Sequence, residues 1–83
     1  MLSEKDKTEL RFWRTIDRLA KIQDISVSRL AINSGLHSTT LNKNKRISKN
    51  GKVRSISLKS LLAILESSKI SFNVFFFLAK EEE

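Results

Sequence analysis

The 83-residue sequence predicts a single all-α domain of about five helices, on three observations. Apolar residues recur at helical spacing in the first 22 positions and again after position 57. Serines stand at Ser3, Ser26, Ser57 and Ser71, each immediately before a stretch of that kind, where a helix needs a side-chain acceptor for its free amides. Proline and cysteine are absent and only two glycines occur, so neither a disulfide framework nor a thiolate metal site is available.

Taken in order, the first helix starts after Ser3, carries Glu4 and Asp6 where negative charge complements the helix dipole, and runs to about Ile22. Trp13, Ile16, Leu19 and Ala20 form its apolar stripe with Phe12 at the margin, which makes Trp13 a core residue rather than a stacking platform for bases. Ser26 caps a second helix from Val27 to Ser34, with Leu30 and Ala31 on one face. Gly35 then supplies the left-handed residue that ends it, and Leu36 and Leu41 bracket a third helix from about Ser38 to Lys45. Ala31 must be small where two helices joined by so short a turn approach most closely.

From Arg46 to Ile56 the pattern changes to a basic loop. Asn50-Gly51 marks a turn, and Ile47, Val53 and Ile56 suit an extended loop or a hairpin. Ser57 caps a fourth helix, about 58–67, whose apolar face is Leu58, Leu61, Leu62, Ile64 and Leu65. Ser71 caps a fifth, about 72–80. Phe75, Phe76 and Phe77 cannot all face inward, since successive residues are rotated by roughly 100°. Phe76 and Phe77 are the expected exposed pair and the candidate dimer contact; the alternative is that Phe72, Phe75 and Phe76 plug the base of the core. The acids Glu81, Glu82 and Glu83 oppose the helix dipole and are expected to fray.

Charge supplies the first functional constraint. The net charge is +7, and all nine acids lie at or before Asp24 or at or after Glu66. Arg29, Lys43, Lys45, Arg46, Lys49, Lys52, Arg54 and Lys59 fall between them, so the middle of the chain is one-signed and attracts polyanions. The longest apolar run, Val74 to Ala79, is far short of the roughly 20 residues that span a bilayer, and Met1 to Lys7 lacks the apolar stretch of a secretory signal. The expectation is a cytoplasmic protein. His37 alone makes no metal site, and no nucleophile is paired with a base, so neither a cofactor nor an enzymatic activity is expected.

Ala31, Gly35, Leu36, Leu41, Asn42 and Lys43 together resemble the helix-turn-helix of Cro and lambda-repressor transcriptional regulators. More narrowly, G-L-H-S-T-T-L-N-K-N-K-R followed by K-N-G-K-V-R-S-I-S-L-K-S-L-L-A-I-L is similar to the amino-terminal DNA-binding domain of LexA-like phage repressors, over about Phe12 to Leu78. The resemblance implies a five-helix lambda-repressor-like domain that binds double-stranded DNA as a homodimer on an inverted repeat, most simply as a repressor. It also implies that Ser38, Thr39, Asn42 and Lys43 contact bases or adjacent phosphates. Thr40 belongs with them by position. Their chemistry agrees: Asn pairs with adenine edges, Ser and Thr take either role, and Lys binds guanine.

The expected phosphate contacts are Ser26, Ser28, Arg29, Lys45, Arg46, Lys49, Lys52 and Arg54. Ser26 also serves as a cap, and His37 reads as a partly exposed turn residue. Members of the resembled family often continue into a self-cleaving serine and lysine peptidase domain; within these 83 residues no nucleophile is paired with a base. Two other readings stand beside regulation. One is a protein-interaction module, such as an antitoxin whose last helix neutralises a partner. The other is RNA binding, which fits less well because A-form grooves do not admit a recognition helix.

Overall fold

A computed structural model describes residues 2–82. Among them are four α-helices and no strand: α1 (Glu4–Ile22), α2 (Val27–Asn33), α3 (Leu58–Ser68) and α4 (Phe72–Glu81), with one 3-10 turn at Lys43–Lys45. The fold is all-α, as expected.

Each α-helix begins in the same way. The hydroxyls of Ser3, Ser26, Ser57 and Ser71 accept from the backbone N–H of Asp6, Arg29, Ser60 and Val74 at 3.1–3.2 Å. That places all four serines where the sequence suggested and satisfies an otherwise free amide at each helix start. The ends share a construction too. After α1, α2 and α3 a left-handed residue follows, Asp24 (φ 57), Gly35 (φ 77) and Lys69 (φ 58). Next comes an apolar residue whose N–H reaches back five positions: Ile25 to Ala20 O, Leu36 to Ala31 O and Ile70 to Leu65 O, at 2.8–3.1 Å.

Ile25, Leu36 and Ile70 all pack against the core, so one residue both closes a helix and anchors the chain. The corners Asp24-Ile25-Ser26 and Lys69-Ile70-Ser71 are built alike, turning α1 into α2 over four residues and α3 into α4 over three. In both, the apolar residue before the serine belongs to the same cluster as the residue five places on, Leu30 and Phe75, in the manner of a hydrophobic staple.

α1 packs against α4 and α2, and α2 against α3. Ile16, Leu30, Leu41, Ile64 and Phe75 are fully buried at their meeting point, with Trp13, Leu19, Ala20, Ala31, Leu61 and Leu65 around them. The buried Thr15 hydroxyl donates to Arg11 O at 2.7 Å, and no buried side-chain polar atom among the described residues lacks a partner.

Two expectations need correction. The helix expected from Ser38 to Lys45 is absent, so the α-helices number four rather than five. In its place Ser38–Leu41 forms a turn, Asn42 is extended (φ −61, ψ 141), and Lys43–Lys45 makes a single 3-10 turn. The composition accounts for this. Ser38, Thr39, Thr40, Asn42 and Asn44 are poor helix formers whose short polar side chains compete for the backbone, and Thr39 N–H is taken by His37 Nδ1 at 3.2 Å. Only Leu41 in this stretch is buried among the core side chains, too little apolar face to impose a helix.

The second correction concerns the carboxyl end. Glu81 and Glu82 are held to α1 by Arg18, at 3.0 and 3.5 Å, which offsets the unfavourable dipole there. Glu83 lies outside the described residues. The remaining phenylalanine expectation is met: Phe75 is enclosed while Phe76 and Phe77 are 42% and 57% exposed. Phe76 nevertheless lies against Phe12, Phe72 and Phe75, with ring centroids 5.7–6.0 Å away, so Phe77 is the freer ring.

Candidate nucleic-acid interface

Between α2 and α3 the chain runs for 24 residues without an α-helix, and this segment holds most of the cations expected to meet DNA. Its second half is a small hairpin. Ile47 and Val53 form an isolated antiparallel bridge. Ser48 N–H donates to Lys52 O at 2.8 Å and Gly51 N–H to Ser48 O at 2.9 Å. A three-residue loop, Lys49-Asn50-Gly51, closes on a left-handed glycine (φ 79), as such loops require. Lys49 and Lys52 lie at its tip, both exposed.

Arg29 on α2, Lys43 and Lys45 on the 3-10 turn, Arg54 beyond the hairpin and Lys59 on α3 are exposed as well. Among the described residues, the ion pairs within 4 Å are Lys7–Glu4, Arg18 with Glu81 and Glu82, and Arg46–Asp17. None of the seven exposed cations has an ion-pair partner within 4 Å, and the chain carries no acid between Asp24 and Glu66, a balance that favours a polyanion even though Glu9, which accepts from Ser55, and Asp17 and Asp24, which line a cavity with Lys43, border the region.

The expected reading residues are gathered in the turn, ordered by their own hydrogen bonds. The Thr39 hydroxyl lies 2.9 Å from His37 Nδ1 and accepts from Lys45 Nζ at 2.8 Å. Because His37 Nδ1 accepts the Thr39 N–H, a neutral His37 carries its proton on Nε2. Ser28 Oγ donates to Asn42 Oδ1 at 3.4 Å, which connects α2 to the turn. Ser38, Thr39, Thr40 and Asn42 are partly buried, and Lys43 is exposed. Thr40 faces a different neighbourhood from Lys43: with Trp13, Lys45, Arg54, Ser57 and Ser60 it lines an open cavity of about 270 Å³ between the hairpin and the start of α3.

Of the expected phosphate set, Arg29, Lys45, Lys49, Lys52 and Arg54 are on the surface. Ser26 caps α2, and Ser28 is turned toward Asn42. Arg46 is a correction. It is only 7% exposed, and its guanidinium points inward to Asp17 and the Leu41 carbonyl, so it is not placed to meet a phosphate.

Sequence reasoning missed the residues that hold the segment. Trp13 Nε1–H donates to Arg54 O at 2.8 Å, and Ser55 Oγ donates to Glu9 Oε1 at 2.7 Å. Asp17 was the available signal: an acid one helical turn beyond Trp13, beside the apolar stripe, calls for a cation from another element. No group of three or more His, Asp or Glu among the described residues is placed to hold a metal. In comparison with known proteins, the chain matches no family model, no curated protein and no solved structure.

Proposed function

We propose that the chain is a sequence-specific double-stranded DNA-binding regulator of the Cro and lambda-repressor kind, acting in the cytoplasm and most simply as a repressor. The observation that carries this reading is a set of seven exposed cations, Arg29, Lys43, Lys45, Lys49, Lys52, Arg54 and Lys59, none ion-paired within 4 Å, in and flanking a segment that holds an ordered polar turn. Charge of that kind holds a phosphate backbone without reading it; Ser38, Thr39, Asn42 and Lys43 supply the side chains that distinguish bases in the major groove. The reading surface in this proposal is a turn plus one 3-10 turn rather than a long recognition helix. The hairpin cations Lys49 and Lys52 meet phosphates flanking the bases read by the turn.

One such turn makes few base contacts, so useful discrimination calls for two copies on an inverted repeat with half-sites roughly 10 bp apart. α4 offers the surface for that pairing. Val74 and Phe77, one helical turn apart, are 45% and 57% exposed, and Phe76 borders them.

The deciding experiment is selection of bound duplexes from a random library at about 150 mM salt, where screening suppresses loose electrostatic attachment. Enrichment of an inverted repeat supports the reading. Recovery of unenriched DNA defeats sequence specificity. The exposed α4 face favours one second reading, a protein-interaction module of antitoxin type, and that reading gains if no duplex is enriched and the purified chain remains monomeric.

A further inference from the structure

Arg46 differs from every other cation of the acid-free segment. The rest are exposed; Arg46 is buried. Its Nη1 donates to Asp17 Oδ2 at 2.8 Å and its Nη2 to Asp17 Oδ1 at 2.7 Å, a two-pronged pair. Nη2 and Nε also donate to the Leu41 carbonyl at 2.7 and 3.3 Å, and the guanidinium carbon lies 4.8 Å from the centre of the Trp13 ring. The Arg46 carbonyl accepts from Arg54 N–H at 2.7 Å, and Trp13 Nε1–H donates to the Arg54 carbonyl. One arginine thus joins α1, the reading turn and the hairpin.

We propose that Arg46, oriented by Asp17, is a positioning residue that sets base discrimination without touching DNA. The inference rests on the DNA-binding reading and deepens it. An α-helix determines its own shape through its backbone hydrogen bonds; the segment between Leu36 and Ser57 does not. Its pose against α1 depends on its anchors. Leu41 is a non-directional apolar anchor, whereas the paired Arg46–Asp17 contact has a defined plane and a defined distance. A lysine has the charge but lacks the fork and the flat face for Trp13.

Asp17 has a second effect. By holding Arg46 inward it withdraws one positive charge from the surface that binds any duplex. Discrimination is a ratio, so withholding a sequence-independent contact raises it.

Three variants of the full chain test this, Asp17→Asn, Arg46→Lys and Arg46→Met, each checked for folding by urea melting. Affinities for a duplex selected by the wild type and for a scrambled duplex are measured over a range of salt. For Asp17→Asn the affinity for scrambled DNA is expected to hold or rise, while the ratio of selected to scrambled falls by roughly tenfold, about one well-placed base contact. The fluorescence of Trp13, the sole tryptophan, should change as the guanidinium leaves its ring. Arg46→Lys is expected to lower the ratio with the salt slope unchanged.

An unchanged ratio in folded Asp17→Asn overturns the proposal. So does a salt slope reduced by about one for both duplexes in Arg46→Met, the mark of a lost phosphate contact. If Asp17→Asn does not fold, Arg46→Lys decides by the same ratio. Failure of the wild type to select any duplex instead defeats the DNA reading, and this proposal falls with it.

Discussion

α1, α3 and α4 on one side and the stretch from Leu36 to Ser57 on the other are held by different physics. The helices satisfy their own backbones and need only an apolar face, which Ile16, Ile64 and Phe75 supply at full burial. The stretch between α2 and α3 satisfies its backbone in pieces: a turn, a 3-10 turn, a hairpin. It is tied to α1 by directed side-chain bonds, Arg46 to the Asp17 carboxylate and Trp13 to the Arg54 carbonyl. The difference teaches that here the scaffold is a matter of area and the candidate binding surface a matter of geometry. Substitutions should separate the two.

The largest effect is expected in the scaffold. Phe75→Ala removes a fully buried ring and should cost about 3–5 kcal/mol in urea denaturation, enough to threaten the fold of so small a domain. A loss below about 1 kcal/mol would show that α4 is not integral to the core. Trp13→Phe comes next. It keeps an aromatic ring but leaves the Arg54 carbonyl without its donor, for about 1–2 kcal/mol. Amide exchange should quicken at Ser48 in the hairpin and at Arg54 just beyond it while the amides of α3 stay protected; equal acceleration in both regions would erase the proposed distinction between them.

Gly51→Ala should cost about 1 kcal/mol, because a Cβ is strained at φ 79 even though no atom lies within 4 Å of its position. The smallest stability change, within about 0.5 kcal/mol, is expected for Lys52→Ala. Under the DNA-binding reading, this variant weakens attachment to every duplex and flattens the salt dependence by about one unit, whereas Asn42→Ala relaxes base preference. If Lys52→Ala altered preference and Asn42→Ala altered only the salt slope, the assigned roles would be reversed.

The helix starts were legible because a serine before an apolar repeat is a local signal with a local cause, and all four were found. Gly35 and Gly51 were legible for the same reason, their left-handed geometry being a property of glycine. Asp24 and Lys69 adopt that conformation without being glycine, driven by burial of the apolar residue that follows each, so no local pattern marked them. The expected third helix failed because it was inferred from a resemblance and from Leu36 and Leu41, while the weak helix propensity of Ser38 to Asn44 prevailed.

By itself, then, the sequence determined the all-helical class, the capped starts of the helices, the exposure of Phe77 and the one-signed middle of the chain. Each of these follows from neighbours within a turn or two, or from composition. Only the tertiary structure decided that Arg46 faces Asp17 and that Trp13 reaches Arg54. These pairings join residues 29 and 41 positions apart, and the direction of a long side chain is set by whichever distant partner removes its polar atoms from water.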